Sequence, residues 1–402
     1  MARRTKAQQQ HDELEHQALA FFKRALSELP DPRRAQGVRY PLPSVVVIAL
    51  MAMVCGADDA EAMQLWGEAN EPWLASVLAL PHGVPTQDVF LSVFAALNPE
   101  AFGELFRAWM AWLDMQLSGQ DKHIAIDGKS SRRSFDTSQQ QPALHTVSAW
   151  MSEAGLVLGQ CKTEDKSNEI EAIPRLLRRL DLRGATVTID AIGCQTAIAE
   201  AIVEAEADYL LAVKDNQPTL RHDIEKTFGQ AADDRRRSVD ELERPKVDVF
   251  ETVDKAHGRV DKRTVSMSRD LQWLTTEQDW RGLSFVVQVK RERTVLSTHT
   301  TSVETAYYIG SDSCVAVDKV AAAIRRHWGI ENELHWVLDM AFREDEARHR
   351  AGNTAQNMTM LRHFALNLIK QDHSRKLGVA NSRKRAAWDH SYLLKLLTSA
   401  DD

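Results

Sequence analysis

Residues 185–214, "ATVTIDAIGCQTAIAEAIVEAEADYLLAVK", alternate between the two kinds of regular structure. "ATVTID" predicts a strand that ends on an acid, "TAIAEAIVEAEA" predicts a helix, and "DYLLAVK" predicts another strand. The segment before them predicts a strand, a hairpin and a helix: "HIAIDGK" (123–129), "HTVSAW" with "GLVLGQCKT" (145–163), and "NEIEAIPRLLRRL" (168–180). Strands, a hairpin and helices in this order are typical of an α/β fold with a mixed sheet.

The segments on either side have a different character. Residues before about 115 predict helices, including a buried one at "SVVVIALMAMVCGA" (44–57), which is too short to span a bilayer. Asn98, Pro99 and Glu100 mark a helix start, with an Asn cap and Pro in the first turn. "KVDVFETVDKAHGRVDKRTVSMS" (246–268), "SFVVQVKRER" (284–293) and "TAYYIGS" (305–311) predict an inserted antiparallel β module, separate from the mixed sheet.

We therefore predict five segments. They are an N-terminal all-helical domain (1–118), the first part of the α/β core (119–220), a β-rich insertion (221–312), a helical return to the core (313–372) and a basic, then amphipathic tail (373–402).

Composition describes an ordinary globular chain, 402 residues long, 44% hydrophobic and 27% charged. The four cysteines are scattered, which excludes a CxxC metal cluster and favours reduced thiols in the cytoplasm. The basic N-terminus is not followed by an apolar segment, so we expect no signal peptide and no membrane partner.

The net charge of −7 argues mildly against a nucleic-acid partner, but its distribution argues the other way. Residues 343–385 hold ten Lys and Arg against four Asp and Glu. On a chain of this size, many basic residues lie on solvated faces and bind no partner. The excess at residues 343–385 is the part of the positive charge that this explanation accounts for least well.

One helix carries a carboxylate where an apolar residue is expected. "VDKVAAAIRRHWGIENELHWVLDMAF" (317–342) has apolar residues at helical spacing, and at about 100° per residue Glu331 lies at the centre of its apolar stripe. Asp127 and Asp190 end two predicted strands. Three carboxylates that converge repel one another and are costly to desolvate, and divalent cations offset both effects. The pattern therefore predicts a magnesium-type site for phosphodiester chemistry.

Other interpretations of these residues stay open. Each aspartate is also typical of a turn or a helix cap, and Glu331 also suits a buried ion pair with Arg325, Arg326 or a histidine. His327, Glu331 and His335, spaced i, i+4 and i+8, are a second candidate metal site, in which two imidazoles and a carboxylate bind zinc in a hydrolase. That site lacks the HExxH order and leaves the aspartates unexplained.

Ordered blocks along nearly the whole chain carry a family resemblance. They include "DPRRAQGVRYPL", "GVPTQDVFLSVFAALNPEAF", "AIDGKSSRRS", "KSNEIEAIP", "TIDAIGCQ", "YLLAVKDNQPTL" and "HWGIENELHWVLDMAFREDEARHRAGN". In these blocks the sequence resembles the DDE transposases of bacterial insertion sequences, in the ISAs-type subgroup that includes the H-repeat-associated proteins.

The resemblance implies a ribonuclease H-like mixed-sheet core with an acidic triad. Asp127 of "IDGK", Asp190 of "TIDA" and Glu331 of "HWGIEN" match the catalytic, metal-binding positions. Two Mg²⁺ or Mn²⁺ ions, double-stranded DNA with inverted-repeat ends, and a homodimer on DNA are further implications. A domesticated or inactive relative that binds DNA without cutting it is an alternative, as is the zinc hydrolase above.

Basic and polar residues near the triad are candidate DNA contacts. Phosphate contacts position DNA without specifying its sequence, so these residues do not identify the recognised end. The candidates are Lys129, Arg132, Arg133, Lys214, Asn216, Gln217, Arg325, Arg326, His327, His335, Arg343, Arg348 and Arg350.

Overall fold

The computed structural model describes residues 26–34, 36, 38–116, 122–135, 142–163, 168–236, 246–256, 258–372, 374 and 376–398. The basic N-terminal segment, in which we expected no signal peptide, lies outside those residues.

The N-terminal part is helical, as the sequence predicts. Its helices include α1 (Leu42–Val54), α2 (Ala60–Ala69), α3 (Glu71–Val77), α4 (Gln87–Ala96) and α5 (Pro99–Gln116). Every residue of α1 except Pro43 is buried, because the helix is apolar on all sides. The start of α5 is capped as predicted, since Asn98 Oδ1 accepts a hydrogen bond from the Glu100 amide at 2.8 Å.

The core is a mixed α/β sheet. Its strands are β1 (His123–Ser130), β2 (His145–Met151), β3 (Leu156–Thr163), β4 (Thr186–Ile189) and β5 (Asp208–Val213), with helices α6 (Glu169–Leu177) and α7 (Thr196–Glu204) between them. The spatial order is β3-β2-β1-β4-β5. The first three strands are antiparallel, whereas β4 lies parallel to β1 and β5 parallel to β4. This confirms the ribonuclease H-like core.

The β-rich insertion follows helix α8 (Pro218–Arg236) and consists of β6 (Val247–Ala256), β7 (Arg259–Ser268), β8 (Phe285–Val295) and β9 (Thr300–Gly310). We expected a separate module, and that expectation is wrong. β9 pairs with β5 from Leu210–Gly310 to Val213–Tyr307, so one sheet of nine strands runs β3-β2-β1-β4-β5-β9-β8-β7-β6. An open β5 edge leaves backbone groups without partners, and β9 satisfies them.

The helical return to the core consists of α9 (Val317–His327), a π-helical turn (Ile330–His335), α10 (Trp336–Phe342) and α11 (Thr354–Lys370); α12 (Val379–Trp388) and α13 (His390–Thr398) form the tail. Helix α9 packs against β1 and β4 and also against β6 and β7. Helix α11 packs against α1 and β3, so the N-terminal helices and the sheet share one hydrophobic core.

Within the described part of the chain, no single helix is long and apolar enough to span a membrane. One bent pair, Gln87–Ala96 with Pro99–Met110, passes that test by length and composition.

Candidate active site

Asp127 and Asp190 lie side by side at the ends of neighbouring parallel strands. The parallel pairing of β1 with β4 ends at Ile126–Ile189, and the two aspartates are the next residues. Adjacent strands are about 4.8 Å apart, so the two side chains start from adjacent backbone positions. We expected the strand to end at Asp127, and that expectation is wrong. β1 continues to Ser130 through antiparallel pairing with β2, and only its pairing with β4 stops.

Glu331 lies in the π-helical turn, and its side chain is 52% exposed. Our expectation that it is buried in the apolar stripe is wrong. A π turn holds an extra residue, which shifts the helix face downstream of it. The stripe is therefore divided between two cores: Val320 and Ile324 pack under the insertion, whereas Leu338 and Phe342 pack in the main core.

The turn brings Glu331 to Asp127 and adds a histidine. His335 Nδ1 lies 3.5 Å from Asp127 Oδ2 and 3.5 Å from Glu331 Oε2. One ligand atom from each residue lies within 4.8 Å of the others. His335 is buried, and its Nε2 has no hydrogen-bond partner among the described residues. Asp190 is not a member of this group, although it ends the adjacent strand.

Burial and neighbouring charges shift the pKa of each of these carboxyl groups. Burial raises the pKa of Asp127 to about 7, with further contributions from the carboxylates of Glu331 and Asp190, while His335 opposes the shift. The pKa of Asp190 is also raised, first by burial and then by the charge of Glu169. Interaction with the His335 ring lowers the pKa of Glu331. Crowded, partly desolvated carboxylates of this kind fit a divalent cation, which would offset their repulsion.

The alternative zinc site of His327, Glu331 and His335 is not formed among the described residues. His327 Nδ1 lies 3.0 Å from Thr188 Oγ1, which also lies 3.1 Å from His123 Nε2. His327 therefore joins α9 to β4 instead of sharing a ligand group with Glu331 and His335. Burial lowers its pKa to about 4.

The basic residues after Asp127 lie in different surroundings. Lys129 is largely buried, and its ammonium group is 2.6 Å from Asp339, 3.4 Å from Glu344 and 3.6 Å from Asp345. Arg132 is exposed and lies 3.3 Å from Asp345, and Arg133 is exposed. Three carboxylates thus surround the Lys129 ammonium group, whereas the two arginines are open to solvent.

The residues after β5 surround the turn that follows Asp190. Asn216 Nδ2 donates to the Ala191 carbonyl at 2.6 Å, and Gln217 Nε2 donates to the Cys194 carbonyl at 2.9 Å. Lys214 is exposed, and its charge lowers the pKa of Asp190. Asn216 and Gln217 therefore hold the Asp190 turn in place, and Lys214 is the cation near it.

The arginines of α9 and of the segment after α10 that we predicted as DNA contacts lie at the surface. Arg325 lies 3.3 Å from Asp254, and Arg326 lies 2.8 Å from Glu153. Arg343 is paired with Glu346, and Arg348 is exposed. The Arg350 guanidinium lies 5.5 Å from the centre of the Phe135 ring.

Sequence reasoning missed a series of hydrogen-bonded polar residues next to β1: Ser130, His145 and Glu169. Glu169 is the first residue of α6, where an acid is favourable at a helix N-terminus, so its position suggested a helix start. His145 begins β2 and resembles an ordinary strand residue. Neither spacing nor periodicity relates these three residues to one another, because the pairing of β1 with β2 and the packing of helix α6 on β2 bring them together.

Two family models match the chain: one described as Transposase DDE domain matches residues 118–368, and one described as DDE_Tnp_1-associated matches residues 23–110. "Putative protein YbfL" of Escherichia coli K12 is 36% identical over 93% of this chain and 97% of that protein. "H repeat-associated putative transposase YhhI" of the same strain is 35% identical with the same coverage. "Putative transposase YncI" of Escherichia coli O157:H7 is 37% identical over 94% of each chain.

Among solved structures, a piggyBac transposase synaptic complex with hairpin DNA covers 94% of this chain and 81% of that chain. The TM-score is 0.42 and the sequence identity 10%.

Proposed function

The chain belongs to the Transposase DDE domain family and is a transposase, and from that premise we propose that it cuts and joins DNA with divalent metal ions held by Asp127, Asp190 and Glu331. The observation that carries this proposal is the convergence of Asp127 and Glu331 on one ligand group, with Asp190 on the adjacent strand.

Oxygen donors predominate in this group, which suits Mg²⁺ or Mn²⁺, and the imidazole of His335 favours Mn²⁺ of the two. When bound, a pair of such ions activates the attacking oxygen and stabilises the leaving oxygen of a phosphodiester. Asp127 must give up a proton to bind a cation, because burial raises its pKa to about 7. The buried His335 ring lies beside both carboxylates, with its Nδ1 3.5 Å from an oxygen of Asp127 and 3.5 Å from an oxygen of Glu331.

We further propose that exposed Arg132, Arg133 and Lys214 bind DNA phosphates near the strand ends, and that the enzyme acts on DNA as a homodimer in the bacterial cytoplasm. Two element ends must be joined in one complex, which supports a dimer. The exposure of these three cations supports their role, because phosphate contacts require side chains that solvent reaches.

The test is cleavage of a DNA fragment that bears the inverted repeats flanking the reading frame. With Mg²⁺ or Mn²⁺ the native chain is expected to cut this fragment, whereas Asp190→Asn and Glu331→Gln bind it and cut at least about 100-fold more slowly, as expected when a ligand of a catalytic metal is lost. Glu333→Gln is the matched control, since Glu333 lies in the same π turn and contacts Lys370 instead of the ligand group.

Equal cutting by Glu331→Gln and Glu333→Gln would contradict the assignment of the triad. Binding without cutting by the native chain would instead support a domesticated relative that no longer moves DNA.

A further inference from the structure

His335 is the member of the ligand group whose role the acidic triad leaves open. It lies in the π-helical turn, four residues after Glu331, and this turn packs against β1. The His335 side chain is 6% exposed, whereas that of Asp127 is 17% exposed and that of Glu331 is 52% exposed. The group therefore has a buried side formed by the imidazole and an open side formed by the Glu331 carboxylate.

Hydrogen bonding does not account for the position of the His335 ring. Its Nδ1 lies 3.5 Å from Asp127 Oδ2 and 3.5 Å from Glu331 Oε2, whereas N–H···O hydrogen bonds are about 2.7–3.2 Å long. A protonated ring would donate from both nitrogens, yet Nε2 is buried without a hydrogen-bond partner among the described residues. The two carboxylates alone therefore leave the hydrogen-bonding capacity of this buried ring unused.

A cation between the three groups does account for it. When the ring proton is on Nε2, Nδ1 directs a lone pair toward the two carboxylate oxygens, and three such electron donors repel one another unless a cation lies between them. Ligand atoms that are each about 2.1 Å from one ion lie about 3.0–3.4 Å from one another. The two separations of 3.5 Å therefore need only a small contraction to bind one ion.

A nitrogen donor in this place changes which ion binds best. Mg²⁺ prefers oxygen ligands and gives up its water reluctantly, so an imidazole adds little to its affinity. For the divalent ions of the first transition row, affinity for sites with nitrogen donors rises from Mn²⁺ through Fe²⁺ to Co²⁺. Carboxylates alone discriminate less among these ions, because oxygen donors suit Mg²⁺ and Mn²⁺ alike.

We propose that His335 binds one of the metal ions through Nδ1, together with Asp127 and Glu331, and that this nitrogen makes the centre select Mn²⁺ and Co²⁺ over Mg²⁺. His335 is thereby the residue that determines the metal specificity of the reaction. This inference rests on the proposed metal-dependent function and adds to it a ligand from outside the acidic triad.

The experiment is pulsed electron paramagnetic resonance of the full chain loaded with Mn²⁺ in the absence of DNA, with unlabelled histidine and with ¹⁵N-labelled histidine. The native chain is expected to show coupling of Mn²⁺ to a ¹⁴N nucleus that becomes ¹⁵N in the labelled sample. Calorimetry with Mg²⁺, Mn²⁺ and Co²⁺ measures the selectivity, and affinity is expected to rise in that order.

His335→Asn offers an oxygen in the place of Nδ1. It is expected to lose the histidine coupling, and its ratio of Mn²⁺ to Mg²⁺ affinity is expected to fall about 10-fold, because the nitrogen donor is gone. His222→Asn is the control, since it removes an exposed histidine of α8 that could bind metal adventitiously. It should keep both the coupling and the native affinity ratio.

Three results would overturn the inference. The first is Mn²⁺ bound to the native chain without coupling to a histidine nitrogen, and this result needs no variant, so it decides the matter even if His335→Asn does not fold. The second is native coupling in His335→Asn, which would assign the nitrogen to another histidine. The third is an unchanged ratio of Mn²⁺ to Mg²⁺ affinity in His335→Asn.

The outcomes also separate this inference from the function on which it rests. If the native chain binds no divalent ion, the proposed function fails and this inference fails with it. If Asp127→Asn and Glu331→Gln lose Mn²⁺ binding while the native chain shows no histidine coupling, only the inference fails.

Discussion

At the scale of single residues, Asp127 has the largest influence on the site. Its carboxylate lies 3.5 Å from His335, and its strand position places it beside Asp190. Because burial and neighbouring carboxylates raise its pKa to about 7, the metal-free protein holds this group protonated over a pH range in which an ordinary aspartate is ionised.

This shift predicts a pH dependence of stability. Between pH 4 and 7 the folded chain keeps a proton on Asp127 that the unfolded chain has lost, so the free energy of unfolding falls as pH rises through this window. Asp127→Asn is expected to reduce this fall, to which the raised pKa of Asp190 also contributes, and to raise the free energy of unfolding of the metal-free protein at pH 8 by on the order of 1–3 kcal/mol. Urea unfolding in the presence of a chelator, at pH 5 and pH 8, measures it.

Asp181→Asn is the control, since it removes a carboxylate that pairs with Arg183 at the surface. It should leave the difference between the two pH values unchanged. A fall in stability that is as large in Asp127→Asn as in the native chain would show that other groups cause it. Mn²⁺ should stabilise the native chain more at pH 8 than at pH 5, because the proton must leave before the ion binds.

At the scale of elements, two departures from regular structure build the site. The π-helical turn Ile330–His335 directs Glu331 and His335 toward Asp127, whereas a continuous α-helix would have placed Glu331 in the core stripe. The pairing of β9 with β5 extends the core sheet into the insertion. Both features arise where one element meets another, and neither is visible in the periodicity of a single segment.

The junction of β5 with the insertion depends on a glycine. A Cβ on Gly310 would lie 2.1 Å from the buried Phe285 ring. Gly310→Ala is expected to lower the free energy of unfolding by about 1–3 kcal/mol, because the ring fills the space that the methyl group needs. Adding Phe285→Leu should recover part of the loss, since it removes the ring. Chemical denaturation of both variants provides the measurement.

Gly229→Ala is the matched control, because it makes the same substitution at an uncrowded position. Gly229 lies in helix α8, and no described atom lies within 4 Å of a Cβ built there, so alanine should stabilise the protein by roughly 0.5–1 kcal/mol. Native stability of Gly310→Ala would argue against this packing of β9 on β8.

At the scale of the whole molecule, one buried arginine connects three distant parts of the chain. Arg383 of α12 is 5% exposed and donates to the Met53 carbonyl of α1 at 2.7 Å. It also binds Asp58 and the Ala341 carbonyl of α10, and its guanidinium lies 4.2 Å from the centre of the Phe342 ring. Part of the basic excess at residues 343–385 is therefore internal and is not available to DNA.

Arg383→Ala is expected to destabilise the protein by about 3 kcal/mol, because it leaves two buried carbonyl groups and the partly buried Asp58 carboxylate without their cation. Lys384→Ala, exposed at the next position, is the control and should change stability by less than about 0.5 kcal/mol. A difference of less than about 1 kcal/mol between the two variants would show that the tail helices are not tied to the core by this residue.

The sequence by itself determined the order of strands and helices, the helical N-terminal part and the choice of Asp127, Asp190 and Glu331. Those features are local: alternating or helical spacing, an acid near the end of a predicted strand, and motif blocks that hold the residues of one family. The sequence also predicted that Asp127 and Asp190 lie at the ends of adjacent strands, and the pairing of β1 with β4 up to Ile126–Ile189 does place them next to each other.

Only the tertiary structure decided which side chains share the site with the aspartates. His335 joins Asp127 because a π turn changes the helix face, and the Lys129 ammonium group lies within 3.6 Å of three carboxylates. The pairing of β5 with β9, which makes one continuous sheet, was also decided only by the tertiary structure. Each depends on contacts between residues far apart in the chain, and no local periodicity encodes such a contact.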